Sequence, residues 1–177
     1  MYVYMGHMKF EHTQPYEPHF WKKNNINLLQ NRVLSVNTEE KTLKFQNEQE
    51  FKYSKLILAT GSKPNKYGWK GENAERVSGL YSKQDLETIE KYSEQLETAI
   101  IVGGGLIGIE LAEMFLSRNI NVHFLVREKF FWNGVLPEED ARFVMDHISE
   151  HHGLTVHYEE ELEEMEDAEE GEPVAQV

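Results

Sequence analysis

Gly103, Gly105 and Gly108 fit the spacing G-x-G-x-x-G within Val102-Gly103-Gly104-Gly105-Leu106-Ile107-Gly108-Ile109-Glu110. The bare spacing says little. Here it follows the apolar run Ala99-Ile100-Ile101-Val102 and precedes apolar residues at Ile109, Leu111, Ala112, Phe115 and Leu116, a helical stripe. Strand, tight turn and helix in that order form a seat for a diphosphate. Gly103 permits the sharp exit from the strand, Gly105 lets the backbone approach a pyrophosphate, and Gly108 lets the helix lie close to the sheet. The first helical turn adds unpaired N–H groups and the positive end of the helix dipole. That dipole is worth about 0.3–1 kcal/mol to an exposed anion and up to about 2 kcal/mol to a partly buried one. Gly103, Gly104, Gly105, Leu106, Ile107 and Gly108 are therefore candidate ligands for a dinucleotide. The alternative is a glycine-rich turn with no ligand, but three consecutive glycines cost folding entropy and make a poor turn on their own.

The next strand carries the choice of nucleotide. Sites for NAD usually place Asp or Glu at its end, about 20 residues after the turn, to bind the ribose 2′-OH. In His123-Phe124-Leu125-Val126-Arg127-Glu128 the strand ends at Val126 and Arg127 follows. Arg127 can pair with a 2′-phosphate. Lys129 adds positive charge and Glu128 removes some; a shift of two residues makes Glu128 the ribose acid instead. The reading favours NADPH and leaves NADH open.

The elements that must hold this site follow from pattern. Trp21 to Asn27 reads as the end of a helix. Leu28-Leu29 leading into Arg32–Val36, then Thr42–Phe45 and Phe51–Tyr53, separated by polar turns, predict a small antiparallel meander. Lys55-Leu56-Ile57-Leu58-Ala59 is continuously apolar after its first residue and predicts a strand buried on both faces. Ser82 with Asp85 predicts a capping box and a helix to about Gln95. Ala99–Val102 is a buried strand, Ile109–Arg118 a helix ended by Asn119, and Val122–Val126 a strand. Pro137, followed by three acids, starts a helix to about His151, with Gly153 after it and a strand at Leu154–Val156. Strand, helix, strand, helix, strand is the beginning of a doubly wound α/β domain. Leu162–Glu166 and Pro173–Val177 predict a hairpin about a turn at Asp167 to Gly171. Met1 to Pro18 has no period and reads as irregular.

Composition narrows the function classes. The 177 residues, 40% hydrophobic, suffice for a packed core of one or two small domains. There is no cysteine, which removes disulfides, thiolate metal sites and a Cys redox pair from this segment. The net charge of −13 is local: ten of the 31 acidic residues lie between Glu159 and Glu172, leaving 21 against 18 Lys and Arg. The acidic run reads as a solvated edge or an interaction tail. The balance argues against nucleic acid as a partner, which would require a basic face. No apolar run reaches the roughly 20 residues of a membrane span, and no leader-like start is visible; a soluble, cytoplasmic protein is expected. His147, His151 and His152 have helical metal-ligand spacing but no completing pair. Phe130-Phe131-Trp132 is read as packing or as a flank for adenine. Tyr2, Tyr4, Met5 and Met8 are read as an irregular loop or as lining for a cofactor. No nucleophile-elbow pattern supports hydrolysis.

Two segments carry a family likeness. Leu56-Ile57-Leu58-Ala59-Thr60-Gly61-Ser62-Lys63-Pro64 and Val102 to Glu113 together resemble the two-dinucleotide-binding flavoproteins, the FAD-dependent NAD(P)H oxidoreductases related to ferredoxin, rubredoxin and nitrite reductases and to the glutathione reductase group. The likeness runs from about Ile26 to Val156. It implies an α/β chain: part of an FAD-binding domain with a β-meander (1–97), then a partial Rossmann-like NAD(P)-binding domain (98–177). It implies that Ala59, Thr60 and Gly61 border FAD, that Val33 touches its adenine end, and that Glu110 lies near the nicotinamide unless it is an ordinary helix glutamate. Val122 to Glu128 is similar to the NADPH-using glutathione reductases, which supports Arg127 as the phosphate ligand. The implied activity is hydride transfer from nicotinamide to FAD and on to an unknown electron acceptor, small molecule or redox protein. The family's first G-x-G-x-x-G, its closing Ala-Thr-Gly-like strand and its C-terminal interface domain are not found. A fragment is therefore expected, holding FAD poorly by itself, with homodimers a property of the full-length protein. The rival reading is a non-catalytic NAD(P)-binding module or an inactive fragment.

Overall fold

In a computed structural model, residues 1–166 and the backbone of 175–176 are described. Packing divides the chain into a smaller unit, Phe10–Gly61, and a larger one made of Met1–Lys9 with Ser62–Val177.

The smaller unit opens with a 3-10 turn at Phe10–Thr13 and a short helix α1, Pro18–Lys23, which has proline in its first turn. An antiparallel meander follows: β1 (Val33–Asn37), β2 (Thr42–Phe45) and β3 (Glu50–Lys52), in the order β1-β2-β3. Asn37 forms the first turn by accepting the N–H groups of Glu39 and Glu40, each at 3.0 Å. The meander matches its expected position, but Leu28 and Leu29 are exposed and precede the first strand instead of joining it. Lys55–Ala59 is a clear departure. It forms no strand, and Ile57 and Leu58 are 89% and 70% exposed. Its apolar content favours a sheet interior, but a strand exists only by pairing, and no described strand pairs with it.

The larger unit contains α2 (Lys83–Ser93), β4 (Thr98–Val102), α3 (Leu106–Leu116), β5 (Asn121–Val126), α4 (Glu138–Ser149), β6 (Leu154–Tyr158), β7 (Glu164–Met165) and β8 (Ala175–Gln176). β4, β5 and β6 form a parallel sheet in that order, Ile100 opposite His123 and Phe124 opposite Val156. Parallel neighbours joined through helices are the doubly wound arrangement expected. Asn119 and Gly153 close α3 and α4 with positive φ of 59° and 83°. β7 and β8 pair antiparallel, so the terminal hairpin forms; its turn at 167–171 lies outside the described residues. Lys70 joins β7 through a bridge to Glu164 and a 2.6 Å ion pair with it. Among the described residues no helix is long and apolar enough to cross a membrane.

The core of this unit joins Leu86 and Ile89 of α2 to Ala99 and Ile101 of β4, Ala112, Met114 and Phe115 of α3, and Val122, Phe124 and Val126 of β5. α2 buries its apolar face in the same core as β4 and α3. β4 buries alternate residues only: Ile100 and Val102 are 36% and 42% exposed. Helix limits shift a little. α2 stops two residues short of Gln95, α3 spans 106–116 instead of 109–118, and α4 ends at Ser149 with Pro137 just outside its first turn.

One buried residue comes from the segment read as irregular. Tyr4 is 2% exposed and lies edge-on to Phe115. The Arg118 guanidinium sits 3.7 Å from the centre of its ring, and Arg118 also donates to the Tyr4 carbonyl at 2.7 Å. Ser93 donates its hydroxyl to Ile89 at 2.6 Å, so the 2.5 Å contact between Tyr4 and Ser93 is best satisfied with the phenol as donor. Tyr4 thus lies in an irregular turn segment, as read, but its side chain is part of the larger unit's core.

Candidate functional site

The turn between β4 and α3 is held from both sides. The N–H of Gly103 donates to Leu125 at 2.9 Å, and the Gly104 carbonyl accepts the N–H of Trp132 at 2.8 Å. The turn is thereby tied to β5 and to the loop that follows it. Phe131 of that loop is buried in the core and Trp132 is half-buried, which places Phe130-Phe131-Trp132 chiefly in packing.

The glycines of the motif differ in what requires them. Gly103 has φ of +117°, a conformation that L side chains rarely adopt. A Cβ on Gly104 would stand 2.5 Å from Val126 Cγ1, and one on Gly108 would stand 2.8 Å from the ring of Phe124 and closer still to the Gly103 carbonyl. These three are fixed by the chain's own geometry. Gly105 is not. Its φ is −106°, its backbone is extended, and a Cβ built there meets nothing within 4 Å. Among the described residues nothing crowds a side chain at 105. The space a Cβ would fill lies at the mouth of α3, where a ligand's phosphates would sit.

Gly105 is also the N-cap of α3 and has no side chain to bond the first turn. The N–H groups of Leu106, Ile107 and Gly108 therefore lack intrahelical partners and point out of the helix start. No acidic residue lies in that first turn, so the positive end of the dipole is not neutralised. Leu106 and Ile107 are 50% and 58% exposed, an apolar rim beside the open N–H groups. Glu110 is one turn further along the same helix and half-buried. The cradle fits a pyrophosphate: bare backbone donors, no competing carboxylate and room for a close approach.

At the end of β5, Val126 is fully buried against Gly104. A carboxylate cannot be presented from that position. Arg127 follows, largely exposed, and donates to Glu128 Oε1 at 2.9 Å. The bond to Glu128, its charge and that of Glu161 all push the Arg127 pKa further up. Sequence reasoning found both residues but not their pairing. Ala59, Thr60 and Gly61 are exposed in the smaller unit, Gly61 with φ of +73°, and Val33 is 43% exposed at the start of β1. His147 and His151 meet edge to face with ring centres 5.3 Å apart; the described residues contain no group of three metal-ligating side chains. Two concavities, one lined by residues such as Lys66 and Glu72 and the other by residues such as Trp21 and Phe51, share no residue with the glycine turn.

A parallel sheet whose first strand runs through an open glycine turn into a helix has the arrangement of the dinucleotide-binding α/β folds. Residues 5–176 match the pyridine nucleotide-disulphide oxidoreductase family, and the chain belongs to it. It is 31% identical over 147 residues to nitrite reductase [NAD(P)H] of Bacillus subtilis, covering 82% of this chain and 18% of that protein. It is 28% identical over 149 residues to NADH-rubredoxin oxidoreductase of Clostridium acetobutylicum, covering 84% of this chain and 38% of that protein. Among solved structures, the NAD-dependent persulfide reductase of A. fulgidus superposes with a TM-score of 0.84 at 28% identity, over 94% of this chain and 33% of that one. The covalent putidaredoxin reductase–putidaredoxin complex matches in fold with a TM-score of 0.86 at 21% identity, over 98% of this chain and 42% of that one. The chain thus spans less than half the length of these proteins.

Proposed function

We propose that this chain is the nicotinamide-nucleotide-binding portion of an FAD-dependent NAD(P)H oxidoreductase. Gly105 carries the reading: it is a glycine that the fold does not need, at the mouth of an uncapped helix. The N–H groups of Leu106, Ile107 and Gly108 hold the pyrophosphate, and Gly103 and Gly104 shape the turn that aims them. Glu110 lies along the same helix toward the nicotinamide. Arg127 binds a 2′-phosphate, which favours NADPH over NADH. Ala59, Thr60, Gly61 and Val33 border FAD in the smaller unit, so residues 1–97 and 98–177 serve different cofactors.

When both are bound, nicotinamide and flavin supply hydride exchange, and the protein supplies position and electrostatics. Reaction requires the exchanging atoms about 3–3.5 Å apart, so α3 must fix its nucleotide rigidly; three tethered points, at Gly103, Gly104 and Gly108, give that rigidity. The electron acceptor is a redox protein or small molecule. The names of the relatives, rubredoxin oxidoreductase and persulfide reductase, span both kinds.

The test is a titration of NADPH and of NADH into the purified chain, followed by nicotinamide fluorescence. Saturable binding that is lost in Gly105→Val supports the reading. No saturable signal from either nucleotide, in protein shown to be folded, overturns it. Flavin absorbance retained on purification, or a spectral change on adding FAD, supports the enzyme over a nucleotide-binding module.

A further inference from the structure

His123 of β5 and His157 of β6 lie on one face of the parallel sheet. His123 stands opposite Thr155 and Leu125 opposite His157, so the two histidines are diagonal neighbours. Their rings are 24° from parallel, and Nδ1 of His123 is 2.9 Å from Nε2 of His157. On the far side of the second ring, Glu160 Oε2 is 3.7 Å from His157 Nδ1. That carboxylate favours the proton of a neutral His157 on Nδ1, which leaves the Nε2 lone pair facing His123. We propose that His123 Nδ1 and His157 Nε2 form a two-point chelate for a late transition-metal ion, Ni(II) or Cu(II), with Glu160 orienting His157. The ion takes the place of the proton between the two nitrogens, and His123 keeps its own proton on Nε2. A small turn of the exposed His123 ring aims both lone pairs at an ion beside the line that joins them. Metal–nitrogen bonds of about 2.0–2.1 Å at a right angle span about 2.9 Å, whereas a tetrahedral ion such as Zn(II) requires about 3.3 Å. The observed separation fits adjacent corners of a square-planar or octahedral ion. A carboxylate behind a ligating imidazole is the usual outer partner of a metal-bound histidine. His123 is exposed and His157 partly so, which gives the ion a way in and leaves its other positions to water. His147 and His151 on α4 lack this arrangement, because there the edge of one ring meets the face of the other. The chelate is independent of the dinucleotide reading.

The test is a calorimetric titration of Ni(II) into the full chain, free of any histidine tag. His123→Gln and His157→Gln should each weaken the tightest site by at least about tenfold, and Glu160→Gln by about tenfold, the usual size of an outer-partner effect. His151→Gln should leave that site unchanged. Because the ion ties β5 to β6, Ni(II) should raise the thermal midpoint of wild type and not that of His123→Gln. Circular dichroism checks each variant, and His123→Gln, a change at an exposed position, carries the test if His157→Gln does not fold. The proposal is overturned if wild type shows no saturable binding, if His123→Gln leaves the affinity unchanged, or if His151→Gln removes the tightest site and so places the ion on α4. Zn(II) binding more tightly than Ni(II) would overturn the right-angle geometry.

Discussion

Two helices of the same unit begin in opposite ways. α2 closes its own start: Ser82 Oγ accepts the N–H of Asp85 at 3.2 Å, and Asp85 Oδ2 accepts the N–H groups of Ser82 and Tyr81 at 2.7 and 3.0 Å. The N–H groups of Tyr81, Ser82 and Asp85 are thereby satisfied from within. α3 begins at a residue with no side chain, leaves its donors unmet and carries no carboxylate nearby. The two starts are equally regular in backbone. They differ in whether the chain answers its own hydrogen-bonding demand or leaves it to something that arrives from outside. The first is a device for stability and the second a device for binding, and mutation should separate them.

The largest effect is expected at Gly108. Gly108→Val drives carbon into Phe124 and the Gly103 carbonyl, and should destabilise the fold by about 3 kcal/mol, as overpacked cores do. Urea unfolding measures it; a loss below about 1 kcal/mol would show that α3 can move away and that the close approach is not rigid. Gly105→Val comes next and inverts the pattern. Nucleotide affinity should fall about tenfold or more, roughly 1.4 kcal/mol, with the unfolding midpoint unmoved. Ser82→Ala sharpens the contrast from the other helix: about 1 kcal/mol of stability lost, nucleotide affinity unchanged. If Ser82→Ala weakened binding as much as Gly105→Val, the two starts would not be functionally distinct.

The smallest effect is a pH dependence. Burial pushes the Asp85 carboxyl up, but the N–H groups of Ser82 and Tyr81 and the Ser82 hydroxyl together bring it below its ordinary 3.8. Because the folded value is depressed, the stabilisation is complete above the unfolded value and is lost as pH falls through the folded one. The stability gap between wild type and Asp85→Asn should therefore hold steady from neutrality to about pH 5 and close below pH 4. Thermal melts across that range would show it; a gap that persisted at pH 2 would contradict the cap's dependence on charge.

Much of the larger unit was legible because its signals are local. β4, the glycine turn and β5 announce themselves by apolar runs and spacing. Ser82 with Asp85, Asn119 and Gly153 mark helix ends by residue chemistry that needs no distant partner. α3 starts earlier than its stripe indicates because periodicity reports buried positions only, while Leu106 and Ile107 face out. Tyr4 was illegible for a different reason. Its partners Ser93, Phe115 and Arg118 lie far along the chain, and a lone aromatic in an aperiodic segment gives no sign of what it will meet. Within the site, the sequence shows Arg127 and Glu128 as offsetting charges but not as a bonded pair. Spacing names neighbours in sequence but not the rotamers that join them.

The bare aliphatic stretch around Ile57 has a consequence for anyone handling the protein. It offers unpaired backbone and two naked side chains to any other extended segment, the profile of a self-association hazard. Yield in solution should then fall with concentration because of a few residues remote in sequence from the glycine turn. Replacing Ile57 with lysine should raise the concentration at which light scattering first appears, without altering how the protein handles nucleotides.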